Sequence, residues 1–232
     1  MHDENQTRGT TMDVYEALYT TRAMRRVKPD PIPLEVQQRI LDAAVRAPSG
    51  GNSQNWRFLF VDDPEVKAAI GPIYRECLGN LWNTYYLPRV EAAAANPELE
   101  ESKAFVRMRA SAQHLADHFE EYPLLLFGFA QRDASGGSIF PAIWSAQLAA
   151  RAEGVGTALT SVLAFRSADV CEILGVPKDE GWHMACCVTF GYPTGRWGVA
   201  KRIPAHEVAH RNRWGEPVGF EVPEPLWPGM GR

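Results

Sequence analysis

No stretch of this chain is long and apolar enough to cross a bilayer. The longest apolar run, residues 123–130, falls far short of the ~20 residues a spanning helix needs. The opening MHDENQTRG is polar and lacks the apolar core of a secretory signal. Cysteine is scarce: Cys77, Cys171, Cys186 and Cys187 make no Cys-x-x-Cys pair, and the last two, as neighbours, would point to opposite faces of a strand. Buried free thiols in a reducing cytoplasm are the expectation. The formal net charge of -4 gives no global field that favours nucleic acid or an anionic membrane. There is no internal repeat and no Gly-x-Gly-x-x-Gly fingerprint, because the nearest candidate, Gly154-Val155-Gly156, carries Leu159 where the third glycine belongs.

What the chain does have is a core. With 232 residues, 45% of them hydrophobic and 22% charged, it can fold as one domain without staples. Residues 1–11 read as a disordered lead-in. Asp13 and Glu16 fit a capping box before a short helix to about Thr20. Pro33 opens a helix whose Val36, Ile40, Ala43, Ala44 and Ala47 share one face, and Pro48 stops it. Residues 56–61 read as a strand, and Asp63-Pro64 as a helix start.

Residues 71–104, with Gly71-Pro72 and an aromatic group, are the least regular and read as an insertion or lid. A helix from about Glu98 carries Phe105, Met108, Ala112, Leu115 and Phe119 at helical spacing. Residues 123–130 read as a central strand covered on both faces. A small-residue helix follows over 139–153, suited to close packing against a partner. Then come a short strand at 157–163, a helix capped by Ser167 and ending at Gly175, a strand at 182–192 and a short helix at 203–210. From Trp214 the tail is rich in Pro and Gly, and its Phe220, Leu226 and Trp227 need burial, for which a partner subunit is a natural place. Helices and strands mix without strict alternation, which argues for an α+β fold.

Four constellations could carry chemistry. Arg22, Arg25 and Arg26, with the distant pair Lys201-Arg202, suit a phosphate monoester held by guanidinium forks; taken alone, such a cluster fits a solvated surface better. Ser49, Asn52, Ser53 and Gln54 around Gly50-Gly51 combine short hydrogen-bonding side chains with open backbone, or form an ordinary helix–strand loop. The stretch from Gly154 to Ser161 could offer backbone and hydroxyl groups to a flat cofactor edge. His206-Glu207-Val208-Ala209-His210 is a literal His-Glu-x-x-His, which on a helix would place two imidazoles on one face as zinc hydrolases require. It has few fixed positions and no rigid third ligand nearby.

Taken together and in order, these stretches resemble the flavin-dependent nitroreductase superfamily. Its early motif, roughly Arg-Arg-Ser-x-Arg, then Pro, then Ala-Pro-Ser-x-x-Asn-x-Gln-Pro-Trp, is matched by Thr21-Arg22-Ala23-Met24-Arg25, Ile32-Pro33 and Ala47-Pro48-Ser49-Gly50-Gly51-Asn52-Ser53-Gln54-Asn55-Trp56. Its later signature is matched by Gly154-Val155-Gly156-Thr157, Gly191-Tyr192-Pro193 and Lys201-Arg202-Ile203-Pro204. The Thr-Thr-Arg start and Ala-Lys-Arg-x-Pro end are similar to an actinobacterial group. The match spans about residues 12–214, with 215–232 as an extended C-terminal arm. Thr21, Ala23 and Asn55 depart from the usual Arg, Ser and Pro.

The resemblance implies an α+β fold with a mostly antiparallel central sheet flanked by helices, in an intertwined homodimer. It implies FMN at the dimer interface and NAD(P)H as donor, with ping-pong transfer to a nitroaromatic, quinone or similar acceptor. Arg22, Ala23, Arg25, Lys201 and Arg202 would hold the FMN phosphate. Pro48, Ser49, Gly50 and Asn52 would come from the partner to line the ring, and Leu159, Thr160 and Ser161 would face its other side. Trp82, Tyr85 and Tyr86 would form a substrate lid. Neither a side-chain nucleophile nor a metal is required, and Glu207-Val208 falls where the family carries a short helix. Rival readings are a reductive dehalogenase or flavin-fragmenting enzyme on the same scaffold, a non-catalytic flavin-storage protein, and the zinc hydrolase.

Overall fold

Strand β2, Leu124–Ala130, is buried along its whole length, and the rest of the protein is arranged around it. It lies inside an antiparallel sheet of order β1-β2-β4-β3, with β1 Trp56–Val61, β3 Gly156–Thr160 and β4 His183–Gly191. The structure, a computed structural model, describes residues 12–227; the lead-in over 1–11 and residues 228–232 of the arm lie outside them. Side chains of a strand alternate between faces, so β2 serves two cores. Leu125, Phe127 and Phe129 face one cluster, with Ile70, Tyr74, Leu78, Leu115 and Phe119. Leu124, Leu126 and Ala130 face the other, with Ile40, Ala44, Ile139, Ile143 and Ala146. Each fully buried large apolar side chain contributes about 1.5–3 kcal/mol.

The first cluster is roofed by α3 (Pro64–Asn83), α4 (Leu87–Ala95), α5 (Glu100–Asp117) and α7 (Ser167–Ile173). The second is roofed by α2 (Leu34–Ala44) and α6 (Ile139–Ala152). Helix α1, Val14–Thr20, starts at Asp13, whose carboxylate accepts from the Tyr15 N–H. Glu16 does not close a capping box; it turns to Arg151 of α6 at 3.1 Å.

Several expectations are corrected. Residues 71–104 are mostly helical: α3 runs straight through Gly71-Pro72, and α4 follows. The alanine face of α6 packs on its own sheet and on α2, leaving Phe140 and Trp144 exposed on the outer face. The strand expected to reach residue 163 stops at Thr160, and a 3-10 turn takes Val162–Arg166. Ser167 lies inside α7, with Arg166 as its N-cap residue. The helix expected over 203–210 is a single 3-10 turn, Ala205–Glu207.

Candidate functional site

Residues 22–28 cross the ends of β3 and β4. Met24 donates its N–H to the Thr157 carbonyl at 2.8 Å, and Lys28 donates to Tyr192 at 2.8 Å. Two glycines make the crossing possible. A Cβ on Gly156 would stand 2.8 Å from Met24 Cβ, and one on Gly191 would stand 2.6 Å from Val27 Cγ2. We expect Gly191→Ala to push this segment off the sheet at a cost of about 1–3 kcal/mol, as overpacking does. Thermal unfolding should register the loss, with Gly195→Ala, whose Cβ meets nothing within 4 Å, as an unaffected control.

The segment delivers its arginines in different directions. Arg22 is exposed and donates to the Arg196 carbonyl at 3.0 Å, on the strip that continues to Lys201 and Arg202. That strip lines a cavity of about 640 Å³ with Leu18 and Tyr19 of α1. Arg25 instead turns to α5, donating to Ser111 Oγ at 3.2 Å, so the two arginines engage different elements. Thr21, where the family motif has arginine, is buried and bonds back to the Ala17 carbonyl. Ala23 is exposed and bridges to Thr157.

Among the described residues, strand β3 is an edge strand, paired only with β4 apart from the Ala23 bridge. Thr157 turns its carbonyl outward to Met24, and backbone directions repeat every second residue. The amide and carbonyl of Leu159 therefore face the open edge. Leu159 is also the exposed side chain in an otherwise buried strand, and Ser161 beyond it is exposed. Thr160 points inward: its hydroxyl pairs with Tyr74 Oη at 3.0 Å, and burial pushes the Tyr74 phenol up to about 12. Open backbone donors and acceptors beside an exposed apolar side chain suit the hydrogen-bonding edge and flat face of an isoalloxazine. The exposed Arg22, one residue before the Ala23 bridge to β3, suits its phosphate.

The loop 49–55 is open in the other sense. Gly51, Asn52 and Gln54 take positive φ, while Ser49 Oγ accepts from the Gln54 N–H. A Cβ on Gly50 would meet nothing within 4 Å. The loop lies far from β3. It leads into β1 at the opposite sheet edge, three strand spacings or about 14 Å across. Gly50 donates its N–H to Ser138 Oγ, at the far end of α6, whose 14 residues span about 21 Å before the chain reaches Gly156. One chain therefore does not bring Pro48, Ser49, Gly50 and Asn52 to Leu159 and Arg22.

The three lid aromatics separate too. Trp82 is buried at 4% exposure in the first core, edge-on to Phe105, whereas Tyr85 is 75% exposed and packs edge-on against the half-buried Tyr86. The two histidines do not share a helical face. His206 Nδ1 accepts from the Val222 N–H and His210 lies against Trp214. No group of three metal-ligating side chains occurs among the described residues. The tail turns back on its own chain, with Trp227 against Tyr19, while Phe220 and Leu226 stay exposed. Cys186, pushed up to about 12 by burial, is an inert core thiol. Sequence reasoning missed Arg196 and Trp197, because a strip without regular structure leaves no periodic signal. Among the described residues, no helix is long and apolar enough to cross a membrane.

Comparison with known proteins follows the same outline. Residues 18–192 match the model of the nitroreductase family. The chain is 31% identical over 196 residues to 5,6-dimethylbenzimidazole synthase of Rhodospirillum rubrum, covering 78% of this chain and 82% of that protein. It is 26% identical over 215 residues to an NADH dehydrogenase of Thermus thermophilus, covering 85% and 95%. Its fold is similar to the crystal structure of oxidised iodotyrosine deiodinase bound to FMN and 3-iodo-L-tyrosine. The TM-score there is 0.65 at 24% identity, covering 86% of this chain and 98% of that one.

Proposed function

The chain belongs to the nitroreductase family, and from that premise we propose that it is an FMN-dependent oxidoreductase working as a homodimer. Electrons would pass from NAD(P)H to a small nitroaromatic, quinone or similar acceptor. The observation that carries this reading is the open β3 edge at Leu159, next to Arg22 and out of reach of its own loop 49–55. A site split between opposite edges of one sheet is completed by two-fold pairing, where each copy supplies the half the other lacks. Exposed Phe140 and Trp144 on α6, and Val14 and Leu18 on α1, offer the apolar surface for such pairing.

Arg22 and Arg202, with Lys201, would hold the phosphate by charge-assisted hydrogen bonds. The Leu159 backbone and Ser161 would orient the ring edge. Ser49, Gly50 and Asn52 of the other copy would cover the ring and keep water from it. When bound, FMN supplies hydride acceptance from the nicotinamide and onward delivery to the acceptor. Domain limits of 12–214, with 71–104 covering the site and 215–232 as an arm, belong to the same proposal.

Within that lid, the burial of Trp82 narrows the contact surface to Tyr85 and Tyr86. We expect Tyr85→Ala with Tyr86→Ala to change relative kcat/KM among nitroaromatic and quinone acceptors while FMN content stays constant. Trp82→Ala should instead lower stability by about 3–5 kcal/mol. Loss of FMN in the tyrosine variants would remove the lid assignment.

The direct test is the visible spectrum of purified protein before and after anaerobic NADH or NADPH. Flavin absorbance that bleaches supports the proposal; a flavin that does not bleach would mean a storage protein; protein that does not take up FMN would overturn the reading. A flavin-fragmenting activity keeps specific support from the 31% identity to a dimethylbenzimidazole synthase. It would show as aerobic loss of the reduced flavin to a benzimidazole product.

A further inference from the structure

A second cationic site lies beyond the one described above. Between residues 25–29 and the last turn of α5 is a cavity of about 330 Å³, at the small end of the ~300–1,000 Å³ typical of small-ligand sites. Arg25, Arg26, His114 and His118 line it, opposed by Glu121, with Val27 and Pro29 as an apolar wall. His114, in the last turn of α5, and His118, its C-cap residue, hold their rings with centroids 4.3 Å apart. His118 Nδ1 lies 3.0 Å from Glu121 Oε1.

The backbone that presents the arginines is clamped from both sides. Tyr122 Oη donates to the Arg25 carbonyl at 2.6 Å. The Thr194 amide and hydroxyl donate to the Arg26 carbonyl at 3.0 and 3.3 Å. Arg25 spends one N–H on Ser111, and the exposed Arg26 guanidinium makes no hydrogen bond or ion pair among the described residues. Two guanidinium groups against one carboxylate leave the cavity short of negative charge even with both histidines neutral.

We propose that this cavity is a binding site for a phosphate monoester carried by a ligand other than FMN. Adjacent guanidinium forks and paired imidazoles match the several acceptor oxygens of such a group. A phosphate reaches the protein from two sources: the 2′-phosphate of NADPH, if the oxidoreductase reading above holds, or a free phosphorylated metabolite. Burial, His118 and Arg26 hold His114 below its usual range, against the opposing pull of Asp117 and Glu121. A bound dianion reverses that balance and draws a proton onto His114, so binding strengthens as pH falls.

The test is a titration of inorganic phosphate, and of sulfate, into FMN-loaded protein, followed by the ring-proton NMR signals of His114 and His118. Sulfate stays a dianion across the range, so its affinity isolates the imidazoles. It should rise roughly five- to tenfold from about pH 7.5 to about pH 5.5. Arg26→Ala should abolish the response with FMN content unchanged; His114→Gln with His118→Gln, followed by calorimetry because the reporting rings are gone, should remove the pH dependence of sulfate affinity. A KM for NADPH that rises in Arg26→Ala while that for NADH does not assigns the phosphate to the donor. Unchanged KM values for both, with anion binding lost, assign it to a free metabolite. Absence of an anion response, a response that survives Arg26→Ala, or loss of FMN from that variant overturns the proposal. The NMR measurement stands even if the protein proves not to reduce its flavin.

Discussion

Mixing two inactive variants should restore about a quarter of the FMN sites. The first combines Arg22→Ala with Arg202→Ala. Each loses hydrogen bonds from a charged donor, at about 1.5–3 kcal/mol apiece, so FMN binding weakens by several orders of magnitude. The second is Gly50→Trp. Gly50 has no neighbour within 4 Å of an added Cβ in its own chain, so a side chain can leave the backbone there without a clash, and the indole is expected to obstruct what the other copy places against the loop. In the proposed homodimer, each variant alone gives two defective sites. After unfolding and refolding together, half of the dimers are mixed. In each mixed dimer one site receives both defects and the other receives neither. A site contained within one chain would give no restoration at all, since every chain in the mixture carries a defect. Bound flavin per chain, read from the visible spectrum, separates the two outcomes.

The parts of the fold legible in the sequence are those with strong periodicity. The stripe Val36, Ile40, Ala44 is the buried face of α2. The unbroken apolar run at 124–130 is the doubly covered strand β2, as two packed faces require. The segment 71–104 was less legible for a specific reason. Gly71-Pro72 reads as a break, but in α3 it is a packing seat. A Cβ on Gly71 would stand 2.0 Å from Glu120 Oε1, and that carboxylate is held beside it by Arg75 at 2.7 Å. Tertiary contact decides there, and local propensity does not reveal it.

The candidate site shows the same division. The family motifs mark Arg22, Ser49 and Leu159, and the structure leaves Leu159 exposed on the open β3 edge. Motif order could not show that Arg25 turns from Arg22 toward α5. In an extended segment, side-chain direction depends on which carbonyls the backbone engages, here Thr157 and Tyr192. Nor could it show that Thr160 faces Tyr74, because the register of β3 is set by its pairing with β4. The His-Glu-x-x-His spacing carries meaning only on a helix, and Pro204 and the returning tail leave one 3-10 turn there.

Arg151→Ala should destabilise the protein by about 3 kcal/mol and weaken FMN binding at a distance. Arg151, on α6, is 4% exposed. Its Nε donates to Thr20 Oγ1 at 2.8 Å, and Nη2 lies 3.1 Å from Glu16 Oε1. Its guanidinium also lies 4.1 Å from the centre of the Trp197 ring. One side chain thus ties α6 to α1 and to the strip that carries Arg196 and Arg202. Removing one partner of a buried pair costs about 3–5 kcal/mol because the other is left uncompensated. Glu16 keeps 26% of its side chain in water, which places the cost at the low end. Replacing the pair together, Arg151→Met with Glu16→Leu, should recover most of the stability, since no charge is then stranded. It should not recover the anchoring of Trp197, because the cation over the ring is gone. Chemical denaturation and FMN titration of the single and double variants therefore separate two roles of Arg151. Parallel recovery of stability and FMN affinity in the double variant would make the residue a structural tie alone. Recovery of stability with FMN affinity still lowered would show that Arg151 fixes, through Trp197, the strip that carries Arg202, the proposed phosphate ligand.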